Sequence, residues 1–209
     1  MDTYLFDFDG TLVDSMPTFV GTMLQILQEY NIPYENDIVR IITPMGYTKT
    51  AEYFTALGVP LTRDEILEKM HEYAVSAYEN TIPAKENVIA VLRTLKERGA
   101  SLNVLTASPH AMLDPCLKRL GIYDIFDHVW SCDDFCTTKA NPEIYRRAAR
   151  KMGTTVEKVL FLDDNYNANV TAKAAGMMTC GVYDESSADY VEEMKKATDR
   201  YIYNFTELL

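Results

Sequence analysis

From about residue 82 onward the chain alternates short apolar runs with amphipathic helical patterns, and this alternation leaves little choice of fold. Val88, Val91, Leu92 and Leu95 recur at helical spacing and stop at Gly99, and residues 102–105 follow as a strand. The pattern then predicts a helix over 109–120 closed by Gly121, a strand over 125–131, and a helix from Asn141-Pro142 through Met152 followed by Gly153. A strand over 159–162, a helix over 166–175 closed by Gly176, a strand over 178–183 and a helix over 187–197 complete it, ahead of Tyr201-Ile202-Tyr203. Strands spaced by helices in this way pair in parallel, with the helices as crossovers. One more apolar run, Tyr4-Leu5-Phe6, stands alone at the start. It has no partner except the later block.

Between them the pattern is helical throughout. Phe19, Val20, Met23, Leu24, Leu27 and Tyr30 form one apolar face behind Pro17, and Asn31-Ile32-Pro33 ends that helix. Shorter helices are expected near 36–43 and 47–57, the second ending at Gly58, and Thr62-Arg63-Asp64-Glu65 reads as a capping box opening a helix along Ile66, Met70, Tyr73, Ala74 and Ala77. The sequence therefore predicts an α/β protein: a doubly wound parallel-sheet core of residues 1–14 plus 82–209, with an α-helical domain of residues 15–81 inserted after the first strand.

Charge narrows the partners. With 20 basic and 31 acidic side chains the chain carries a net −11, so nucleic acid and anionic membranes are repelled and a small ligand is the expected partner. No apolar run approaches the roughly 20 residues of a membrane span, and the first strand begins where a signal peptide would need its basic and apolar regions. The expectation is a soluble, cytoplasmic protein. Cys116, Cys132, Cys136 and Cys180 are too few for a disulfide framework in 209 residues. Cys132-x-x-x-Cys136 lacks a second Cys or His pair at zinc spacing, so reduced, mostly buried thiols are expected.

Ligands of open parallel sheets bind beyond the carboxyl ends of the strands. The first strand ends in Asp7-Phe8-Asp9-Gly10-Thr11. Residues i and i+2 of a strand share a face, and carboxylates about 4 Å apart repel by roughly 4 kcal/mol at an effective dielectric near 20. A hard divalent cation or a shared proton would relieve that repulsion. The other strand ends carry Thr106-Ala107-Ser108, then Lys139 in Thr138-Lys139-Ala140-Asn141-Pro142, then Asp163-Asp164-Asn165. Singly, each has an ordinary reading: Asp-Gly starts turns, Ser and Thr cap helices, a lone lysine is solvated. Together they supply what phosphoryl transfer needs, namely a nucleophile, a cation site and positive groups around the phosphate oxygens.

These segments, in this order, resemble the motifs of the haloacid dehalogenase (HAD) superfamily, and the resemblance covers essentially the whole chain. Asp7 to Thr11 resembles the first motif, Thr106 the second, Lys139 with Pro142 the third and Asp163-Asp164 the fourth; the insert is similar to the helical cap of subfamily I, home of phosphoglycolate phosphatases and β-phosphoglucomutases. The resemblance implies that Asp7 attacks phosphorus to form an aspartyl phosphate. It implies that Asp9 serves as general acid and base with its backbone carbonyl toward the metal. Asp7 and Asp164 would bind Mg²⁺, Asp163 would be a ligand or neighbour of one, and Thr106, the N–H groups near Ala107 and Lys139 would hold the phosphate. The implied activity is Mg²⁺-dependent hydrolysis of a small phosphorylated metabolite. Phosphomutase and pyrophosphatase activities are the alternatives within the superfamily. A phospho-accepting regulatory module is the alternative outside it.

The chain departs from the family pattern in three places. Ala140 follows Lys139 where proline is usual, Ala168 replaces a later acid of the fourth motif, and Phe19 stands where β-phosphoglucomutase-like members carry a histidine, which disfavours a mutase. His110, at a helix start beyond the second motif, is a candidate substrate contact. His71 is expected at the surface, and His128 and Trp130 in the core or at its edge. Thr43-Pro44-Met45-Gly46 with Tyr47 corresponds to a cap turn that reaches the site in relatives.

Overall fold

The buried run Tyr4-Leu5-Phe6 forms strand β1 (Thr3–Phe6) at the middle of the sheet, paired in parallel with β2 (Ser101–Thr106) on one side and β4 (Val159–Asp163) on the other. The computed structural model describes residues 2–35, 37–42 and 45–209. Its internal contacts divide the chain into two compact units, Met1–Asp14 with Pro83–Leu209, and Ser15–Ile82.

In the first unit β3 (His128–Ser131) pairs with β2, β5 (Met178–Val182) with β4, and β6 (Arg200–Ile202) with β5, giving the all-parallel order β3-β2-β1-β4-β5-β6. The order reverses at β1, so the carboxyl ends of β1 and its neighbours flank a topological switch point. All five residues of β4 are buried, as expected for a strand covered on both faces.

The Ser15–Ile82 unit is helical. Helix α1 (Met16–Glu29) carries Pro17 in its first turn, and Asn31, at φ 53°, lies in the turn beyond it. α2 (Ile38–Ile42) and α3 (Gly46–Ala56) are shorter. α4 (Arg63–Asn80) opens on the capping box expected at Thr62 and Glu65, with both reciprocal hydrogen bonds made. Met23, Ile26, Leu27, Ile42, Phe54, Ile66 and Met70 are fully buried as its core. Thr43 and Pro44 of the expected cap turn lie outside the described residues, as does Asn36 from the helix expected over 36–43.

The sheet is flanked by α5 (Val88–Glu97), α6 (His110–Arg119), α7 (Pro142–Lys151), α8 (Tyr166–Ala175) and α9 (Val191–Ala197). Asn141 and Asn165 cap α7 and α8, their side-chain oxygens accepting the N–H groups of Glu143 and Ala168. Two expectations shift and one strand is added. The strand expected over 125–131 begins only at His128, because Tyr123–Ile125 coil into a 3₁₀ turn. The helix expected over 187–197 starts as a 3₁₀ segment, Glu185–Tyr190, capped by Asp184, and turns α-helical at Val191. Residues before Tyr203 form the edge strand β6. All four cysteines are free thiols, three buried and Cys136 exposed. Among the described residues no helix is long and apolar enough to cross a membrane.

Candidate active site

Strand β1 ends at Phe6, but the N–H of Asp7 still donates to the Leu162 carbonyl of β4 at 2.8 Å. Asp7 therefore leaves the sheet beside the end of β4. The chain then turns sharply, with the N–H groups of Leu12 and Val13 both donating to the Phe8 carbonyl. Gly10 makes this turn possible. Its φ is +71°, and a Cβ there would sit 2.6 Å from Oδ2 of Asp164.

Asp7, Asp163 and Asp164 are buried, and each brings a carboxylate oxygen within 4.8 Å of the others. Lys139 reaches them from the loop before α7, donating to Oδ1 of Asp7 and, at 2.9 Å, to Oδ2 of Asp163. Neighbours fix every member of the group. The Tyr145 hydroxyl lies 3.0 Å from the Lys139 carbonyl and 3.1 Å from that of Ala168. Asn169 donates to the Asp163 carbonyl at 2.7 Å, and the Asn165 N–H donates to Asp163 Oδ1 at 2.7 Å. Thr11 both donates to Asp164 Oδ1 and accepts the Asp164 N–H, each at 3.1 Å.

Three carboxylates face one ammonium, and the imbalance appears in their protonation. Burial first, then the charge of Asp163, drives the Asp7 carboxyl well above the usual range, against the opposing pull of Lys139. Asp164 is pushed up to about 7, by burial and then by the charges of Asp163 and Asp184. Burial pulls the Lys139 pKa down, yet the charges of Asp163 and Asp7 outweigh it and hold the ammonium's pKa above the ordinary value. Buried, excess negative charge presented entirely by oxygen donors fits a hard divalent cation, and the missing Cβ of Gly10 leaves Asp164 room to face it.

Asp9 stands apart from this group. Ser108 donates its hydroxyl to Asp9 Oδ2, turning that carboxylate toward the end of β2. Among the charges acting on Asp7, Asp163 ranks first and Asp9 last, so the expected repulsion lies mainly between Asp7 and Asp163 rather than between Asp7 and Asp9. The reason is local: strand alternation ends at Phe6, before either aspartate. Thr106 is buried at the end of β2, where its hydroxyl accepts the Ser108 N–H at 3.0 Å, and Ala107 between them is exposed.

The remaining candidates have structural partners. His110 lies between two carboxylates, Nδ1 2.8 Å from Asp114 and Nε2 2.9 Å from Asp134. His128 sits 2.8 Å from the Asn103 side chain and stacks on buried Trp130, while His71 is exposed. The motif reading did not single out Tyr145, Asn169 or the Ser108–Asp9 bond. Tyr145 had a signal in its place on the buried face of α7; the other two had none stronger than a polar residue near a strand end.

The chain is similar to known phosphoryl-group enzymes over most of its length. It is 29% identical to the pyrophosphatase PpaX of Bacillus velezensis, over 85% of this chain and 81% of that protein. It is 26% identical to hexitol phosphatase B of Escherichia coli K12, over 83% and 79% of the two chains. A crystal structure from Thermotoga maritima, provisionally described as a β-phosphoglucomutase, superposes with a TM-score of 0.84 at 22% identity, covering 97% of this chain and 94% of that one. The model of the haloacid dehalogenase-like hydrolases matches residues 4–182, a span that takes in every strand end described above except that of β6, and the chain belongs to that family.

Proposed function

We propose that this hydrolase is a Mg²⁺-dependent phosphatase acting on a small phosphate monoester through an aspartyl phosphate on Asp7. The observation that carries the reading is the buried group of Asp7, Asp163 and Asp164 with Lys139 at the ends of β1 and β4. Relatives named as a hexitol phosphatase and a pyrophosphatase support phosphoryl chemistry on a small substrate.

In the first half-reaction a carboxylate oxygen of Asp7 attacks phosphorus, the phosphorus–oxygen bond to the leaving group breaks, and Asp9 delivers its proton to the departing oxygen. In the second, water attacks the phosphorus of the aspartyl phosphate, Asp9 takes the water proton, and Asp7 is released with inorganic phosphate. Ser108 holds Asp9 on the β2 side, so that the nucleophile and the acid–base group do not compete for one position. Thr106, the N–H groups around Ala107 and the Lys139 ammonium receive the phosphate oxygens. A Mg²⁺ ion held by Asp7 and Asp164, with Asp163 beside them and the Asp9 carbonyl as a further oxygen, would supply positive charge against the phosphate.

Phe19 favours hydrolysis over a mutase reaction. Its ring stacks on Tyr47 with centroids 4.6 Å apart and offers no proton-transfer group. The test is phosphate release from sugar phosphates, polyol phosphates, phosphoglycolate, pyrophosphate and nucleotides, with and without Mg²⁺. The expected result is metal-dependent turnover of at least one ester, lost in Asp7→Asn and strongly reduced in Asp9→Asn. Metal-independent turnover, or activity surviving in Asp7→Asn, would overturn the reading.

A further inference from the structure

The sequence Pro83-Ala84-Lys85 begins the return of the chain to the sheet unit and pairs with the segment by which it leaves. The Asp14 N–H donates to the Pro83 carbonyl and the Lys85 N–H to the Leu12 carbonyl, both at 3.0 Å, with a bridge between Val13 and Ala84. This places the Lys85 side chain against the turn that follows Asp7.

The Lys85 ammonium has three acceptors: the Gly10 carbonyl at 2.7 Å, the Tyr183 carbonyl at 2.6 Å and Asp184 Oδ2 at 2.8 Å. An ammonium has three protons, so none is left over for a substrate. The group is largely covered, with side-chain exposures of 19% for Lys85 and 6% for Asp184. Asp184 is itself held, its Oδ1 accepting the Ser186 N–H at 3.0 Å and hydroxyl at 2.6 Å. Of the three contacts, the one to Gly10 bears on the chemistry. Gly10 lies between Asp9 and Thr11, and Thr11 holds Asp164 through two hydrogen bonds. On its other side the Gly10 Cα packs so closely on the Asp164 carboxylate that no Cβ would fit.

We propose that Lys85 is a positioning residue for phosphoryl transfer, clamping the Gly10 carbonyl so that Asp9 and the Thr11–Asp164 pair keep their places around Asp7. The proposal rests on the phosphatase reading. Its alternative is that Lys85 only neutralises Asp184. Displacement of reacting groups by about 1 Å can cost on the order of 100-fold in rate, so a clamp and a neutralising charge differ measurably.

The test uses the full chain as wild type, Lys85→Met, Asp184→Asn and the double variant. The double variant removes the unpaired buried carboxylate that would otherwise threaten folding of Lys85→Met. Carbonyl-labelled glycine with ¹⁵N-threonine marks the pairs Gly10-Thr11, Gly21-Thr22 and Gly153-Thr154, so two pairs act as internal controls. The expected result is a Gly10 carbonyl resonance that moves in both Lys85 variants while the controls stay. In the same variants kcat should fall by about 100-fold with KM nearly unchanged. Asp184→Asn, which keeps the lysine on Gly10, should lose far less. Recovery of kcat in the double variant would overturn the clamp in favour of neutralisation, and an unmoved Gly10 resonance would overturn it outright. A wild type that releases no phosphate from any ester fails the phosphatase reading instead, and the resonance arm then reports the clamp by itself.

Discussion

The two units of this chain dispose of charge in opposite ways. In Ser15–Ile82 the interior is Met23, Ile26, Leu27, Phe54, Ile66 and Met70, while ion pairs such as Lys69–Glu29 and Arg63–Asp64 lie on the surface. In the sheet unit Asp7, Asp163, Asp164 and Lys139 are inside, with acids outnumbering the base. Exposed pairs add little to stability, and an unbalanced buried group costs stability unless something bound offsets it. The helical unit is therefore built as a folded scaffold should be. The sheet unit keeps a feature that folding alone disfavours, and activity and stability should separate between the two.

Substitutions in the two units should therefore have different consequences. The largest effect belongs to the strand ends: Asp7→Asn should reduce phosphate release to background, and Asp9→Asn should lower kcat by about 10²–10⁴-fold. Asp7→Asn should meanwhile leave the urea midpoint unchanged or raised, since it removes one of three crowded carboxylates. A large loss of stability in Asp7→Asn would show that the cluster is structural. Next comes Lys139→Met. In metal-free protein it should destabilise by about 3 kcal/mol because it leaves buried carboxylates unpaired, and adding Asp163→Asn should return part of that loss. Additive losses in the double variant would contradict the ion-pair account.

The helical unit should behave in the reverse sense. Thr62→Ala removes the N-cap of α4 and should cost about 1 kcal/mol in denaturant unfolding. Its kcat, measured on folded protein, should stay at the wild-type value. The smallest effect is at His110, whose hydrogen bond to Asp114, ahead of that to Asp134, raises the imidazole pKa above its ordinary value. A base with a raised folded pKa stabilises the fold fully below its unfolded pKa, and that contribution disappears as pH rises through the folded pKa. The stability difference between wild type and His110→Gln should therefore shrink as pH rises above the ordinary imidazole pKa of about 6.5. A difference that grows over this range would invert the assignment.

How much of this was legible in the sequence depends on how local the signal is. Apolar periodicity and the caps at Thr62 and Asn141 are local, and the α/β order and most helix limits follow from them. Asp7, Asp163-Asp164 and Lys139 were visible because strand ends in a parallel sheet converge, whatever loops separate them. Strand β6 was not marked: it has three residues, pairs on one side only, and is buried only at Ile202. Lys85 carries no signal in the sequence. Two of its three partners are carbonyls 75 and 98 residues away, and a backbone acceptor leaves no trace in side-chain identity. The orientation of Asp9 was missed for a related reason, since strand alternation was extended one turn beyond Phe6.

The central claim is that Asp7 carries the phosphoryl group. The most direct measurement is acid quenching during turnover of the best ester with Mg²⁺ present, followed by peptide mass analysis. One phosphoryl group is expected on the peptide containing Asp7, absent from Asp7→Asn and from protein kept in chelator. Turnover with that peptide unmodified, or a phosphoryl group on any other residue, would contradict it.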